Sequence, residues 1–151
     1  MEKKIKLYVV RFSFGAEVYG SLDDAKAVVG SYLSGSSLDT VATIECYRSV
    51  GRIVEGRQWI SYYSRKIATR EEFDNATENE RLEFFAKNFV KNFAGKGGCG
   101  YMREDVYTFS AVRNSKTGDN NELYGSLNGK PINVDFLSDD RQRTHIYLAR
   151  F

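Results

Sequence analysis

A cysteine set among glycines offers the first candidate chemistry. In Gly95-Lys96-Gly97-Gly98-Cys99-Gly100, small neighbours would leave the Cys99 thiol accessible, and Lys96 would favour its thiolate. A thiol nucleophile also needs a base, and the chain has one histidine, His145. His145 falls on the last expected strand, on the face opposite Ile146 and Leu148, and no local spacing couples it to Cys99. The plainer reading is a loop cysteine and an ordinary strand histidine.

The same six residues match G-x-G-x-x-G. A dinucleotide site needs those glycines after a strand and before a helix, so that phosphate meets the helix N-terminus. Here they follow an expected helix and precede an expected strand, so the context is reversed. Tyr101-Met102 stands where a phosphate-binding Walker loop would carry Lys-Ser/Thr. A helix-to-strand connector explains the glycines, with a backbone anion nest beside Lys96 as the remaining functional reading.

One histidine also weighs against triads, His-Glu-x-x-His zinc sites and two-histidine phosphoesterases. The acid pairs Glu104-Asp105 and Asp139-Asp140 are adjacent, and adjacent side chains on a strand point to opposite faces. Asn114 to Glu122 lacks the alternating acids of a calcium loop. No metal ligands, cofactor site or catalytic residues are therefore assigned.

Binding chemistry has more to work with. Between Arg57 and Arg65, alternate residues share a strand face. If Ile60 and Tyr62 face the core, then Arg57, Trp59, Tyr63 and Arg65 form an outward patch. Arg, Trp and Tyr together stack on bases and pair with phosphates, and they are also the residues enriched at protein-interface hot spots. The opposite reading makes Trp59 a core residue. A second cationic stretch runs from Phe85 to Arg103, with Lys87, Lys91, Lys96 and Arg103 and no acid. Its plainer reading is a helix whose late lysines match the helix dipole.

Positioning these residues requires strands at both ends and two helices between. Ile5 to Phe14 is rich in Val, Tyr and Phe and reads as a strand, with Gly15 a turn and Val18-Tyr19 a short return. Ser21 caps a helix over 22–34, whose face is Leu22, Ala25, Val29 and Tyr32. Val41 to Val54 reads as a strand, with Gly51 marking a bulge or a break. Glu55-Gly56 then turns the chain into a partner running from Arg57 to Ile67.

Thr69 with Glu72 caps an extra turn, and Thr77 with Glu80 forms a capping box for the strongest helix, 78–94. Leu82, Phe85, Phe89 and Phe93 make its apolar stripe. A β-meander follows: Val106 to Arg113, Glu122 to Leu127, the Asn128-Gly129 turn, then Ile132, Val134 and Phe136 alternating inward. His145 to Phe151 is the last strand. Residues 17–23 and 122–128 are similar (EVYGSLD and ELYGSLN), which a shared strand-exit turn or chance explains better than duplication.

Composition bounds the rest. The chain of 151 residues is 42% hydrophobic and 28% charged, which fits a single α+β domain with two helices on mainly antiparallel sheet. Lys and Arg number 22 against 20 acids, and +2 is too little to imply nucleic acid by itself. Two cysteines without a framework favour a reducing, cytoplasmic setting. The short apolar run after the N-terminal lysines breaks at Arg11 and reads as strand, not signal peptide.

The first expectation for function is a non-enzymatic inhibitor or adaptor that occupies a surface of a host or partner protein, as phage and mobile-element counter-defence proteins do. The alternative is non-catalytic binding of nucleic acid or a nucleotide through the basic and aromatic sheet face. An enzyme using Cys99 or carboxylates comes third. No membrane partner is expected.

Overall fold

The structure is a computed structural model that describes residues 5–34, 40–51, 53–56, 58–62, 65–94, 100–113, 121–135 and 146–151. Chain order is β1 (Lys6–Phe12), β2 (Gly15–Tyr19), α1 (Leu22–Ser34), β3 (Thr40–Ser49), β4 (Ile53–Glu55), β5 (Trp59–Tyr62) and β6 (Arg65–Thr69). It continues with α2 (Arg70–Asn75), α3 (Glu78–Ala94), β7 (Tyr101–Arg113), β8 (Asn121–Leu127), β9 (Lys130–Pro131) and β10 (Tyr147–Arg150). The fold is α+β, as expected from the sequence. Seven strands form one antiparallel sheet in the order β10-β2-β1-β3-β7-β8-β9, and β4-β5-β6 form a small second sheet.

Alternation along the strands sends side chains to two cores, one on each face of the large sheet. On one face, Val10, Ile44 and Phe109 pack against Ala25, Val29 and Leu33 of α1. On the other, Leu7, Val9, Val18, Tyr47 and Leu148 pack against Phe85, Ala86 and Phe89 of α3. The Ser21 hydroxyl accepts from Asp24 N at 3.1 Å, which fixes the start of α1. Thr77 and Glu80 exchange backbone bonds of 3.1 and 3.2 Å, and Thr69 and Glu72 repeat the device for α2.

Tyr62 ties the small sheet to the large one. Its ring is buried against Phe85 and Tyr101. Its hydroxyl donates to Gly100 O and accepts from Gly51 N. The break expected at Gly51 is thus a joint where the chain leaves β3 for β4, held by a side chain from β5.

Three expectations need correction. Arg57 to Ile67 is not one strand: β5 and β6 pair antiparallel with Tyr62 opposite Arg65, so the chain reverses between them. A register irregularity between Ile60 and Ser61 also breaks strict alternation, and Ile60, Ser61 and Tyr62 are all buried. Second, the strand expected through Ile132 and Val134 stops at Pro131. Ile132 N still donates to Gly125 O at 3.0 Å, and the chain then lays Val134 over Gly125; Phe136 lies outside the described residues. Third, Phe93 closes the α3 stripe only in part. It is 37% exposed and shares its surface with Phe151 under the Arg11 guanidinium.

The Asn128-Gly129 turn has φ values of 52° and 86°, as a type I′ hairpin requires. At Gly125 the requirement is space. An added Cβ would lie 2.5 Å from Val134 Cγ1 and 3.0 Å from Phe109 Cδ1. Gly125→Val should therefore destabilise by about 1–3 kcal/mol through overpacking. Chemical denaturation checks this, and an unchanged midpoint would mean that Val134 yields freely.

The two similar segments share a local bond but not an exit. Tyr19 donates to Glu17 at 2.7 Å, and Tyr124 to Glu122 at 2.6 Å. The first then enters α1 and the second enters a hairpin.

Burial pushes the Cys46 thiol up to about 11, with Asp105 and Glu104 adding to the effect. Burial also raises the phenols of Tyr19, Tyr47 and Tyr101. The folded chain holds these protons to higher pH than the unfolded chain, whose values are 9.0 for Cys and 10.0 for Tyr. Their contribution to stability is complete below about pH 9 and is lost as pH rises, first through Cys46 and then through the tyrosines. Denaturation midpoints should fall between about pH 9 and pH 11; a flat profile would contradict this assignment.

Candidate functional site

Cationic side chains converge where β6 meets α3. Around α3, residues one turn apart form rows. Phe85 and Phe89 face the core, Asn88 and Asn92 form the row at the boundary, and Lys87 and Lys91 form the outer row. The capping box fixes where the helix starts, and the apolar stripe fixes its rotation. Together they aim the two lysines. On the facing strand, β6 follows the chain reversal after Tyr62 with Arg65 and Lys66 exposed, while Ile67 turns toward the core.

The result is a cleft of about 460 Å³. Arg65, Lys66, Lys87 and Lys91 line it, together with Ile67, Phe84, Asn88 and Asn92. No acid is among these lining residues. Lys87 has a salt bridge of 2.8 Å to Glu83, one turn earlier. Among the described residues, Arg65 and Lys91 make no ion pair. The Thr69 hydroxyl and backbone hold the exposed Glu72 carboxyl below the usual range, with a lesser contribution from Lys66.

The amide row carries a further signal. Asn92 is only 5% exposed, and its Nδ2 donates to Asn88 Oδ1 at 3.2 Å. Among the described residues, Asn92 Oδ1 and Asn88 Nδ2 are buried without a hydrogen-bond partner. Buried polar atoms usually find partners, because leaving one unpaired costs about 1–3 kcal/mol.

The structure thus brings together three residues singled out from sequence: Arg65, Lys87 and Lys91. It does not bring the others to the cleft. Ile60 and Tyr62 do face inward and Trp59 outward, with Trp59 45% exposed, but Trp59 does not line the cleft. Arg103 sits on β7 and reaches Glu45 at 3.3 Å, and Arg11 binds the same carboxylate. Arg103 is therefore part of a separate ion cluster on the large sheet. Arg57, Tyr63 and Lys96 lie outside the described residues, as do Cys99, His145 and Asp139-Asp140.

Lys66, Phe84, Asn88 and Asn92 were missed by sequence reasoning. Asn88 and Asn92 had a readable signal, since they repeat at one-turn spacing on the flank of a phenylalanine stripe. Lys66 had none, because its place depends on the reversal between β5 and β6.

The other chemistries gain no support from the geometry. Among the described residues, no group of three or more His, Cys, Asp or Glu is placed to hold a metal ion. Glu104 pairs with Arg48, and Asp105 accepts from Asn128 at 2.9 Å. Among the described residues, no helix is long and apolar enough to cross a membrane.

No protein-family model, curated protein or solved structure matches this chain. Fold and site together define an α+β protein with a cationic, amide-backed cleft between a helix and a small sheet.

Proposed function

We propose that this is a non-enzymatic binding protein that acts by occupying an acidic surface of a partner protein, in the manner of an inhibitor or adaptor. A phage- or mobile-element-encoded counter-defence protein would work in this way. The observation that carries the reading is the α3–β6 cleft, where four cations converge with no acid among the described lining residues. Potentials of one sign in a cleft steer partners of the opposite sign and set the register of docking. Trp59, exposed on the small sheet, adds an aromatic anchor of the kind enriched at hot spots.

Affinity capture from host lysate, with and without nuclease, tests the proposal. A discrete protein partner that survives nuclease, and dissociates as salt is raised, supports it. Capture that disappears with nuclease would move the assignment to nucleic acid, whose binding carries a steep salt dependence. Failure to capture any partner would count against both.

A further inference from the structure

We infer that the α3–β6 cleft is a binding site for a nucleoside phosphate. The inference uses the same cleft as the proposed partner-binding surface, but it stands on the cleft's own chemistry. Three kinds of group are gathered there. Arg65, Lys66 and Lys91 supply positive charge beside the Lys87–Glu83 pair. Asn88 and Asn92 supply an unpartnered donor and an unpartnered acceptor. Phe84 and Ile67 supply an apolar wall.

Among small anions, charge favours phosphate over a lone carboxylate. With Lys87 balanced by Glu83, three cations remain, and a single carboxylate would leave two of them uncompensated. A phosphate monoester carries about −1.5 to −2 at neutral pH, and a longer phosphate chain carries more.

The amides select a ligand with more than phosphate. Rotating both amide groups by half a turn reverses the bond between Asn88 and Asn92 but still leaves one donor and one acceptor over. A donor and an acceptor are the groups with which Asn reads adenine, here supplied by two side chains. Both atoms are buried, so a ligand engages them only if the side chains turn outward and give up the bond between them. Phe84 provides a surface for the base plane, since base–aromatic stacking tolerates any base. The cleft volume of about 460 Å³ lies within the range of small-molecule sites, roughly 300–1,000 Å³.

Calorimetric titration of the full chain with ATP, GTP, pyrophosphate, an oligo-dA single strand and a poly-glutamate peptide tests the inference. ATP or GTP should bind saturably and at least about tenfold more tightly than pyrophosphate, since base contacts add to phosphate contacts. Lys91→Glu and Lys66→Glu should each weaken nucleotide binding about tenfold or more. Phe84→Ala should weaken nucleotide but not pyrophosphate. Thermal melts establish that each variant is folded, and either lysine variant alone suffices if the other proves unstable.

The oligonucleotide arm separates the sources of the ligand. Free nucleotide binding more tightly than oligo-dA identifies a nucleotide ligand; the reverse order identifies a nucleic-acid strand presenting the same chemistry. No nucleotide binding, equal affinity for nucleotide and pyrophosphate, or preference for poly-glutamate would overturn the inference. Partner capture lost in Lys91→Glu while nucleotide fails to bind would leave the partner-binding proposal standing alone. Nucleotide binding without any captured partner would do the opposite.

Discussion

Phe89→Ala should cost about 3–5 kcal/mol of stability, while Lys87→Asp, two positions away on the same helix, should cost about 1 kcal/mol or less. The difference follows from the faces of α3. Phe89 is 1% exposed and packs against Tyr47, Tyr101, Phe93 and Phe151, with ring centroids 5.0–6.0 Å apart. Its removal leaves a cavity between α3, β3, β7 and the C-terminus, and these elements close it only in part. Lys87 reaches solvent and touches Glu83. Its replacement by Asp removes one helical pair and adds a like charge, each worth a few tenths of a kcal/mol. Urea denaturation of the three proteins decides the matter. Equal losses would mean that the helix is rotated from the position described.

That helix was the most legible element in the sequence, for a physical reason. Its start and its face are set by residues within one segment: Thr77 and Glu80 at the start, and the phenylalanine stripe along it. The same holds for α1, with Ser21 at its cap, and for the Asn128-Gly129 turn, whose backbone angles are a local demand. Legibility failed where structure depends on partners distant in sequence. The reversal between β5 and β6 has no Asn-Gly or Pro-Gly signature, and alternation alone favoured one longer strand. Pro131, the sole proline, has no N–H for the ladder and ends β9, and the chain then seats Val134 against Gly125.

The candidate site was legible in kind and only partly in place. Arg65 on a strand patch and Lys87 and Lys91 at a helix end read as cationic binding residues from two separate features, and they meet. Their meeting is a product of packing α3 across the small sheet, which no local pattern encodes. Arg103 shows the reverse case. It belongs to the same acid-free stretch as Lys87 and Lys91, but strand pairing with β3 delivers it to Glu45 instead.

The second large effect is expected at the cleft. Lys66→Glu combined with Lys91→Glu should leave the fold intact, because Lys66 is exposed at β6 and Lys91 on the outer row of α3. Partner binding should fall by about tenfold to a hundredfold, with the loss greatest at low salt, where charges are least screened. Arg103→Glu is the control outside the cleft, with one charge reversal where the double variant has two. It changes the same kind of charge outside the cleft, so it should weaken partner binding far less, and any loss of stability from the Glu45 cluster is read separately by melting.

The most direct test of the central claim, that the α3–β6 cleft is the binding surface, is side-by-side partner capture by the wild type, the Lys66→Glu/Lys91→Glu variant and Arg103→Glu after nuclease treatment. All three must first be shown folded by their melting curves. Retention by the wild type and Arg103→Glu, with loss in the double variant, is the predicted result. Equal retention by all three proteins, or loss only in Arg103→Glu, would contradict it.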